Sequence, residues 1–354
     1  MERIVYLLGA GFSAPLGLPV MSNFRSKSLD MYNSNPAEYA HFKVVFDTIR
    51  EMSIIKNYYE ANLFNIEEIL SILEMGEFLE GKRLEDVFIQ YIKDVIAFYT
   101  PEMKSYEAGR IPGNWADWLF GPSNIWKPYG MFIGSVLNLS FRTGSFGFDG
   151  SYENIVCEVQ THPATNYSIV TLNYDLIPET ICAYVKRYAI PSGGARPLTF
   201  DGKLAKLHGS IDTSILVPPT WNKGVTQDIV PTWKLAHEIL ANATQLRIIG
   251  YSLAQADAYV RYLLKSATMK ESHLRRIDVI CRDADGSAKV RYDEFINTKF
   301  GDYRFAAAEV ETYLSRHVNA YESVGPGVRS LDKLESAHND FMSNPRAVKY
   351  PGLA

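Results

Sequence analysis

The sequence predicts an α/β fold in which a parallel sheet carries helices on both faces. Short apolar segments alternate with amphipathic helical segments near the start of the chain and again from residue 165. Alternation of this kind is typical of a parallel sheet that is covered on both sides. The polar clusters of the chain lie at the ends of such apolar segments, which indicates a ligand site along one edge of the sheet. The 354 residues are 47% apolar, enough for a large core.

The first strand is predicted over residues 4–8, a short apolar run with a β-branched start. It leads directly into a G-x-G-x-x-A pattern that extends from Gly9 to Ala14. The two glycines permit a tight turn and a close approach of backbone to a ligand. A helix that begins near Ser13 would direct its N–H groups at that ligand and favour phosphate. The pattern also fits a strand followed by a glycine turn with no ligand.

The next part of the chain is predicted to be an all-helical insertion, residues 26–164. Apolar residues recur at helical spacing in residues 41–59, 65–79, 86–99 and 131–141. Between the last two segments, proline and glycine residues mark a loop that contains Trp115, Trp118 and Trp126. The sequence indicates no strand between residues 26 and 165.

Strands alternate with helices again from Tyr167. The predicted strands cover residues 167–171, 203–207, 246–249, 277–280 and 303–305, and helices are predicted at 177–188, 236–243 and 257–266. In parallel sheets, ligands bind outside the carboxyl ends of the strands. The predicted fold is therefore a Rossmann-like domain of residues 1–25 and 165–317, and residues 318–354 form a C-terminal tail. We expect that tail to contact neighbouring subunits, although tails of this kind are also often disordered.

The composition excludes several classes of protein. The net charge of −4 gives no general attraction to nucleic acid or to an anionic membrane. The cysteines Cys157, Cys182 and Cys281 are too widely spaced for a disulfide framework or a C-x-x-C metal pair. The sequence contains no apolar run of about 18 residues, and we expect neither a membrane span nor an N-terminal signal peptide. We therefore expect a cytoplasmic protein that holds no zinc.

The polar clusters at the predicted strand ends carry a resemblance to a known family. They are GAGFSAPLGLP after the first strand, TLNYD at 171–175, LHGS at 207–210, GYS at 250–252 and the strand end near Cys281. In this order the chain resembles the sirtuin fold family, and more closely its bacterial sirtuin-like NAD-hydrolase branch. The matching segments cover about half of the chain.

The resemblance implies a role for each matching residue. Gly9, Ala10, Gly11 and Ser13 would cradle the NAD pyrophosphate, and Phe12 belongs to the same binding turn. Asn173 would hold the nicotinamide ribose and the attacking water, and Asp175 would meet the nicotinamide carboxamide. His208 would be the base at the ribose hydroxyls, a role that suits an imidazole near neutral pH. Gly250 and Ser252 would line the adenosine side.

Several candidate residues also have a purely structural interpretation. His208 could be a histidine that only packs at a strand end, and Asn173 and Asp175 could serve as a helix cap and a turn residue. Asp257 could be a helix-start carboxylate, and Arg282 could be a solvated surface group. The sequence does not decide whether Arg25, Asp257 or Arg282 reaches a ligand, and it gives the segment 216–221 no chemical role.

The chain departs from the deacylase sirtuins in two respects. It lacks their zinc module of two C-x-x-C pairs, and four residues separate Pro19 from Phe24-Arg25 where deacylases have G-I-P-D-F-R. The resemblance therefore implies hydrolysis of NAD to nicotinamide and ADP-ribose. Protein ADP-ribosyl transfer or deacylation is the alternative reaction, and a non-catalytic module that senses NAD or ADP-ribose is the alternative of another class.

The resemblance also implies a biological setting. Enzymes of the bacterial branch deplete NAD during phage infection and stay inactive until triggered. Uncontrolled loss of NAD would kill the host, so we expect a gate, supplied by a homo-oligomer or by a partner. Resembling proteins pair with a helicase-like ATPase or an Argonaute-like protein. No direct contact with nucleic acid or membrane is expected.

Overall fold

The computed structural model of the chain describes the following residues. They are 1–80, 85–103, 111–112, 119–120, 125–143, 147–152, 155–159, 164–188, 190–191, 200, 202–213, 216, 229–254, 257–269, 273–297, 300–322 and 330–344. Trp115, Trp118, residues 217–221 and the last ten residues lie outside this set.

The described residues form eleven strands and twelve α-helices. The strands are β1 (Glu2–Leu8), β2 (Ile111–Pro112), β3 (Leu139–Thr143), β4 (Ser151–Tyr152), β5 (Ile155–Val159), β6 (Thr165–Thr171), β7 (Ile190–Pro191), β8 (Leu204–Lys206), β9 (Gln245–Ile249), β10 (Arg276–Cys281) and β11 (Tyr303–Ala307). The helices are α1 (Ala10–Ser13), α2 (Phe24–Ser34), α3 (Phe42–Glu51), α4 (Ile66–Glu80), α5 (Glu85–Tyr99), α6 (Trp126–Val136), α7 (Ile177–Tyr188), α8 (Val230–Ala241), α9 (Ala258–Ala267), α10 (Ser287–Phe295), α11 (Val310–Glu322) and α12 (Ser330–Ser343).

The main sheet of the described residues has six parallel strands in the order β11-β10-β9-β1-β6-β8. Numbered along the chain, this is the order 3-2-1-4-5-6 of doubly wound dinucleotide-binding folds. The register pairs Leu8 with Thr171 on one side and with Ile249 on the other. The carboxyl ends of β1, β6 and β9 therefore lie side by side, and the strand order reverses between β1 and β9.

Both faces of the sheet are covered, as the sequence predicts. In β1, Ile4, Tyr6 and Leu8 belong to the apolar core on one face, and Val5 and Leu7 belong to the core on the other. This period of two is the alternation that a strand imposes on its side chains. Helices α6, α7, α11 and α12 supply buried residues to the first core, and α8, α9 and α10 supply them to the second.

The segment between β1 and β6 is not all-helical, and that part of the prediction is wrong. The predicted helix over 131–141 ends at Val136, since Asn138 takes a left-handed φ of 60° that stops a helix. The chain continues as β3, which pairs antiparallel with β5, while β7 pairs parallel with β5. Helices α2 to α5 precede this small sheet, and α3, α4 and α5 lie in segments where the sequence predicts helices.

The segment from Val318 contains ordered helix. Val318 lies within α11 and is buried, and α12 follows at Ser330–Ser343. Leu334 and Phe341 of α12 are buried in the core of the first face. Helix α12 is therefore part of the packed domain. Among the described helices, none is long and apolar enough to cross a membrane.

Candidate functional site

A cavity of about 140 Å³ opens at the carboxyl ends of the central strands. It lies beside the point where the strand order reverses, which is where doubly wound sheets bind their ligands. Most of the predicted site residues line it together: Ala10, Ser13, Asn173, Asp175, His208, Gly250 and Ser252. Gly9, Gly11 and Phe12 do not belong to its lining.

The glycines of the first turn pack against the turn after β9. The N–H of Gly9 donates to the carbonyl of Ile249 at 3.0 Å, and the N–H of Gly11 donates to the carbonyl of Gly250 at 2.9 Å. A Cβ on Gly11 would lie 2.8 Å from that carbonyl oxygen. Gly250 has a φ of +67°, and a Cβ there would lie 2.2 Å from the backbone nitrogen of Phe12. The glycines thus allow two turns to touch, and the N–H groups of Gly9 and Gly11 are already engaged within the protein.

Phe12 anchors this turn from behind. Its side chain is 1% exposed and meets the ring of Tyr129 edge-on, with the ring centroids 5.2 Å apart. The hydroxyl of Tyr129 donates to the carbonyl of Phe12 at 2.7 Å. Phe12 therefore fixes the position of Ala10 and Ser13 while its own ring packs in the core.

Ser13 joins the first turn to the loop after β6. Its hydroxyl donates to Oδ2 of Asp175 at 2.5 Å and accepts from Nδ2 of Asn173 at 3.0 Å. Nδ2 of Asn173 also donates to the carbonyl of Gly9 at 3.0 Å. A carbonyl can only accept, so this bond fixes which end of the amide is the nitrogen. Both of these bonds use the amide nitrogen of Asn173. Its amide oxygen, Oδ1, is an acceptor, and Asn173 lines the cavity.

Asp175 is a buried carboxylate with structural bonds of its own. Burial raises the pKa of Asp175, and the hydrogen bond from Ser13 opposes that rise. Its Oδ1 accepts from the N–H of Ile177 at 3.1 Å, where α7 begins. Through this bond Asp175 acts as the turn residue that the sequence allows as its structural interpretation. Because Asp175 also lines the cavity, the turn and the contact with a ligand do not exclude each other.

His208 follows β8 and is 2% exposed. The ring of Tyr174 lies beside its imidazole, with centroids 5.8 Å apart. Lys206 ties this strand end to the loop after β6, because its Nζ donates to the carbonyl of Asp175 and, at 3.0 Å, to the hydroxyl of Ser210. The side chain of Glu179 accepts from the same Nζ at 3.1 Å. Lys206 is a positioning residue that sequence reasoning missed.

Helices α2, α4 and α5 supply an apolar wall to the cavity, which sequence reasoning also missed. Its residues are Phe24 of α2, Ile66 and Leu70 of α4, and Ile92 and Ile96 of α5. Two of these pairs have the i, i+4 spacing of a buried helix face. The sequence signal is therefore the same as that of any core helix, and nothing in it distinguishes a cavity wall.

The sequence does not decide whether Asp257, Arg25 or Arg282 reaches a ligand, and the structure separates Asp257 from the other two. Asp257 lines the cavity and is 4% exposed. Arg25 lies over the ring of Phe64, 5.5 Å from its centroid, and is not part of the lining. Arg282 has a 76% exposed side chain and pairs with Glu309 at 3.2 Å. Of the segment 216–221, Leu216 bridges to Gly209 and is buried.

The described residues contain no group of three His, Cys, Asp or Glu side chains placed to hold a metal ion. Neither a scan of the chain against protein-family models nor a search of curated proteins finds a match.

Proposed function

We propose that the protein cleaves NAD at the bond between nicotinamide and ribose, giving nicotinamide and ADP-ribose. The observation that carries this proposal is the convergence of Ser13, Asn173, Asp175 and His208 on one cavity. The four residues come from the ends of three different strands, and the cavity adjoins the reversal of strand order. The same residues carry the sequence resemblance to sirtuin-like NAD hydrolases.

The size of the cavity fits one end of a dinucleotide. Pockets that hold a whole small-molecule ligand typically measure roughly 300–1,000 Å³. At about 140 Å³, this cavity would enclose the nicotinamide ribose, and the rest of NAD would extend past Gly250 and Ser252. The N–H groups of Gly9 and Gly11 are engaged within the protein, so contact with the pyrophosphate is assigned to the backbone near Ala10.

The proposed chemistry uses His208 and Asn173. Departure of nicotinamide leaves positive charge on the ribose, which a nearby base stabilises by taking a proton from a ribose hydroxyl. A neutral imidazole at His208 is suited to that transfer near pH 7, and general base catalysis typically contributes about 10²–10⁴-fold. The Oδ1 of Asn173 can accept a hydrogen bond from a ribose hydroxyl or from the attacking water. Ser13 and Gly9 hold the amide in the orientation that this role requires.

The biological setting is proposed from the resemblance. An enzyme that depletes NAD in anti-phage defence has to be gated, and a homo-oligomer, a helicase-like ATPase or an Argonaute-like partner would provide the gate. The alternative reaction, transfer of ADP-ribose to a protein or deacylation, uses the same bond cleavage with another acceptor. The alternative of another class, an NAD or ADP-ribose sensor, requires binding without product.

The test is incubation of the purified protein with NAD, with and without candidate partners, followed by chromatography. The proposal predicts equal amounts of nicotinamide and ADP-ribose. Binding of NAD without any product in every condition would favour the sensor. Nicotinamide release with ADP-ribose attached to protein, or with deacylation of an acyl-peptide, would favour the alternative reaction.

A further inference from the structure

A second cavity lies apart from the candidate site, on the face of the main sheet that α8, α9 and α10 cover. Its volume is about 390 Å³, and it opens where these three helices end, beside β9 and the start of β10. The candidate site lies beyond the carboxyl ends of the strands instead, and the two cavities share no described lining residue. The proposed function gives the second cavity no role.

The described lining of the second cavity is mainly apolar. Eleven of its fourteen described residues are aliphatic or aromatic; Leu246 and Ile248 come from β9, and Leu264 and Phe295 come from α9 and α10. Cavities that hold a small molecule typically measure roughly 300–1,000 Å³, so the second cavity is large enough for one. Apolar walls that face an unfilled space lose packing contacts, and an apolar ligand would restore those contacts.

Two cations of α9 lie at one edge of the second cavity. The Nζ of Lys265, a lining residue, is 5.3 Å from the centroid of the Phe295 ring, and the Cζ of Arg261 is 5.6 Å from the same centroid. One helical turn separates the two residues, and like charges at this spacing repel each other. The described lining contains no carboxylate. An anionic group bound at this edge would therefore offset the repulsion between the two cations.

We propose that the second cavity binds a small aliphatic carboxylic acid, with its chain among Leu246, Ile248 and Leu264 and its carboxylate beside Lys265 and Arg261. The chain gains free energy because burial removes its methylene groups from water. The carboxylate stays partly hydrated, because Lys265 is an exposed residue, and this avoids the cost of burying a charge. The second cavity is thus a binding site separate from the one proposed for NAD.

Calorimetry with four compounds tests this assignment: butanoate, hexanoate, octanoate and octanol. Burial of each methylene is expected to raise the affinity of the acids about fourfold, so octanoate should bind roughly 15-fold more tightly than hexanoate. Octanol has the same chain length and no charge. It is expected to bind roughly 3- to 10-fold more weakly than octanoate, because it cannot pair with the two cations.

Variants of the edge and of the wall locate the site. Lys265→Met keeps an apolar stem and removes the charge, and it is expected to weaken octanoate roughly 3- to 10-fold and to leave octanol unchanged. The matched control is Lys289→Met on α10, which removes a cation that pairs with Asp293 and should bind all four compounds as the wild type does. Ala267→Phe fills part of the cavity and should lower octanoate affinity at least about 10-fold. Ala243→Leu replaces it if its thermal transition shows that it does not fold.

The outcomes decide the inference without reference to NAD. Octanoate binding that both Lys265→Met and the filling variant weaken supports it. Failure of octanoate to bind at millimolar concentration, equal affinity for octanoate and octanol, or an octanoate affinity that either variant leaves unchanged overturns it. Because Lys265 is exposed, Lys265→Met is expected to fold, and its comparison with Lys289→Met decides the matter even where a filling variant does not fold. The proposed function stands or falls on other measurements.

Discussion

The strongest stability prediction concerns the ion pair that joins α12 to the sheet. Arg247 in β9 has a fully buried side chain that ends in a guanidinium group. It donates through Nη1 and Nη2 to the two carboxylate oxygens of Glu335, at 2.9 and 2.6 Å. Nη1 also donates to the hydroxyl of Tyr6 at 2.8 Å, and the hydroxyl of Tyr167 donates to Glu335 at 2.6 Å. Glu335→Ala would remove the carboxylate and leave the buried guanidinium without its charged partner.

The loss in free energy of unfolding that we expect for Glu335→Ala follows from the burial of Arg247. Removing one partner of a buried ion pair costs about 3–5 kcal/mol, because the remaining charge is not solvated. The Glu335 side chain is 27% exposed, so water can reach the vacated space and the lower end, about 3 kcal/mol, applies. That is a large part of the roughly 5–15 kcal/mol by which a typical domain is stable. The matched control is Asp302→Ala, which breaks a partly exposed pair with Arg276 and should cost below about 1 kcal/mol.

Urea denaturation of the wild type and of each variant measures these losses. A double variant, Arg247→Met with Glu335→Leu, replaces the pair by apolar side chains and should recover most of the lost free energy of unfolding. Equal losses for Glu335→Ala and Asp302→Ala would refute the reasoning, and so would a double variant that is no more stable than Glu335→Ala.

Two further predictions concern pH and the first turn. Burial lowers the pKa of His317 to about 4 and that of His338 to about 3, from 6.5, so only the unfolded chain gains these protons as the pH falls below 6.5. Above pH 6.5 both histidines are neutral in the folded and the unfolded chain, and the free energy of unfolding has its full value. Below that pH it should fall by up to about 1.4 kcal/mol per pH unit for each histidine until the folded pKa values are reached. Urea denaturation curves that coincide at pH 7 and pH 5 would contradict this. Gly11→Ala should destabilise the protein by roughly 1–3 kcal/mol through its contact with Gly250, whereas Gly76→Ala, on an open helix surface, should stabilise it by about 0.5–1 kcal/mol. Thermal melts of the two variants test that contrast, and a Gly11→Ala protein as stable as wild type would argue against the close packing of the two turns.

The strands of the main sheet could be predicted because their pattern is local. Each is a short segment with apolar residues, five of them are followed by a polar cluster, and all six lie where the sequence predicts them. The strand β3 could not be predicted, because residues 139–141 continue an apolar pattern that also fits the preceding helix. The change depends on the left-handed conformation of Asn138, which sequence periodicity does not reveal. Helix α12 could not be predicted, because its packing depends on distant partners such as Arg247.

The candidate site also contains residues that the sequence predicts and residues that it does not. Ser13, Asn173, Asp175 and His208 follow predicted strands, so the topology alone brings them to one edge of the sheet. The role of Gly11 could not be foreseen, because it depends on contact with a turn more than two hundred residues away in the chain. The apolar wall and Lys206 also depend on tertiary packing, and neither has a sequence signal that differs from ordinary core or surface residues.

The measurement that tests the central claim most directly compares binding and turnover in His208→Ala. This change removes the proposed base and leaves Ala10, Ser13 and Gly250 in place. Calorimetry should show NAD affinity close to that of the wild type, while nicotinamide release under activating conditions should fall by about 10²-fold or more. Asn173→Ala should behave in the same way. A folded His208→Ala protein with near-normal turnover would contradict the mechanism, and one that loses binding and turnover together would make His208 a structural or binding residue.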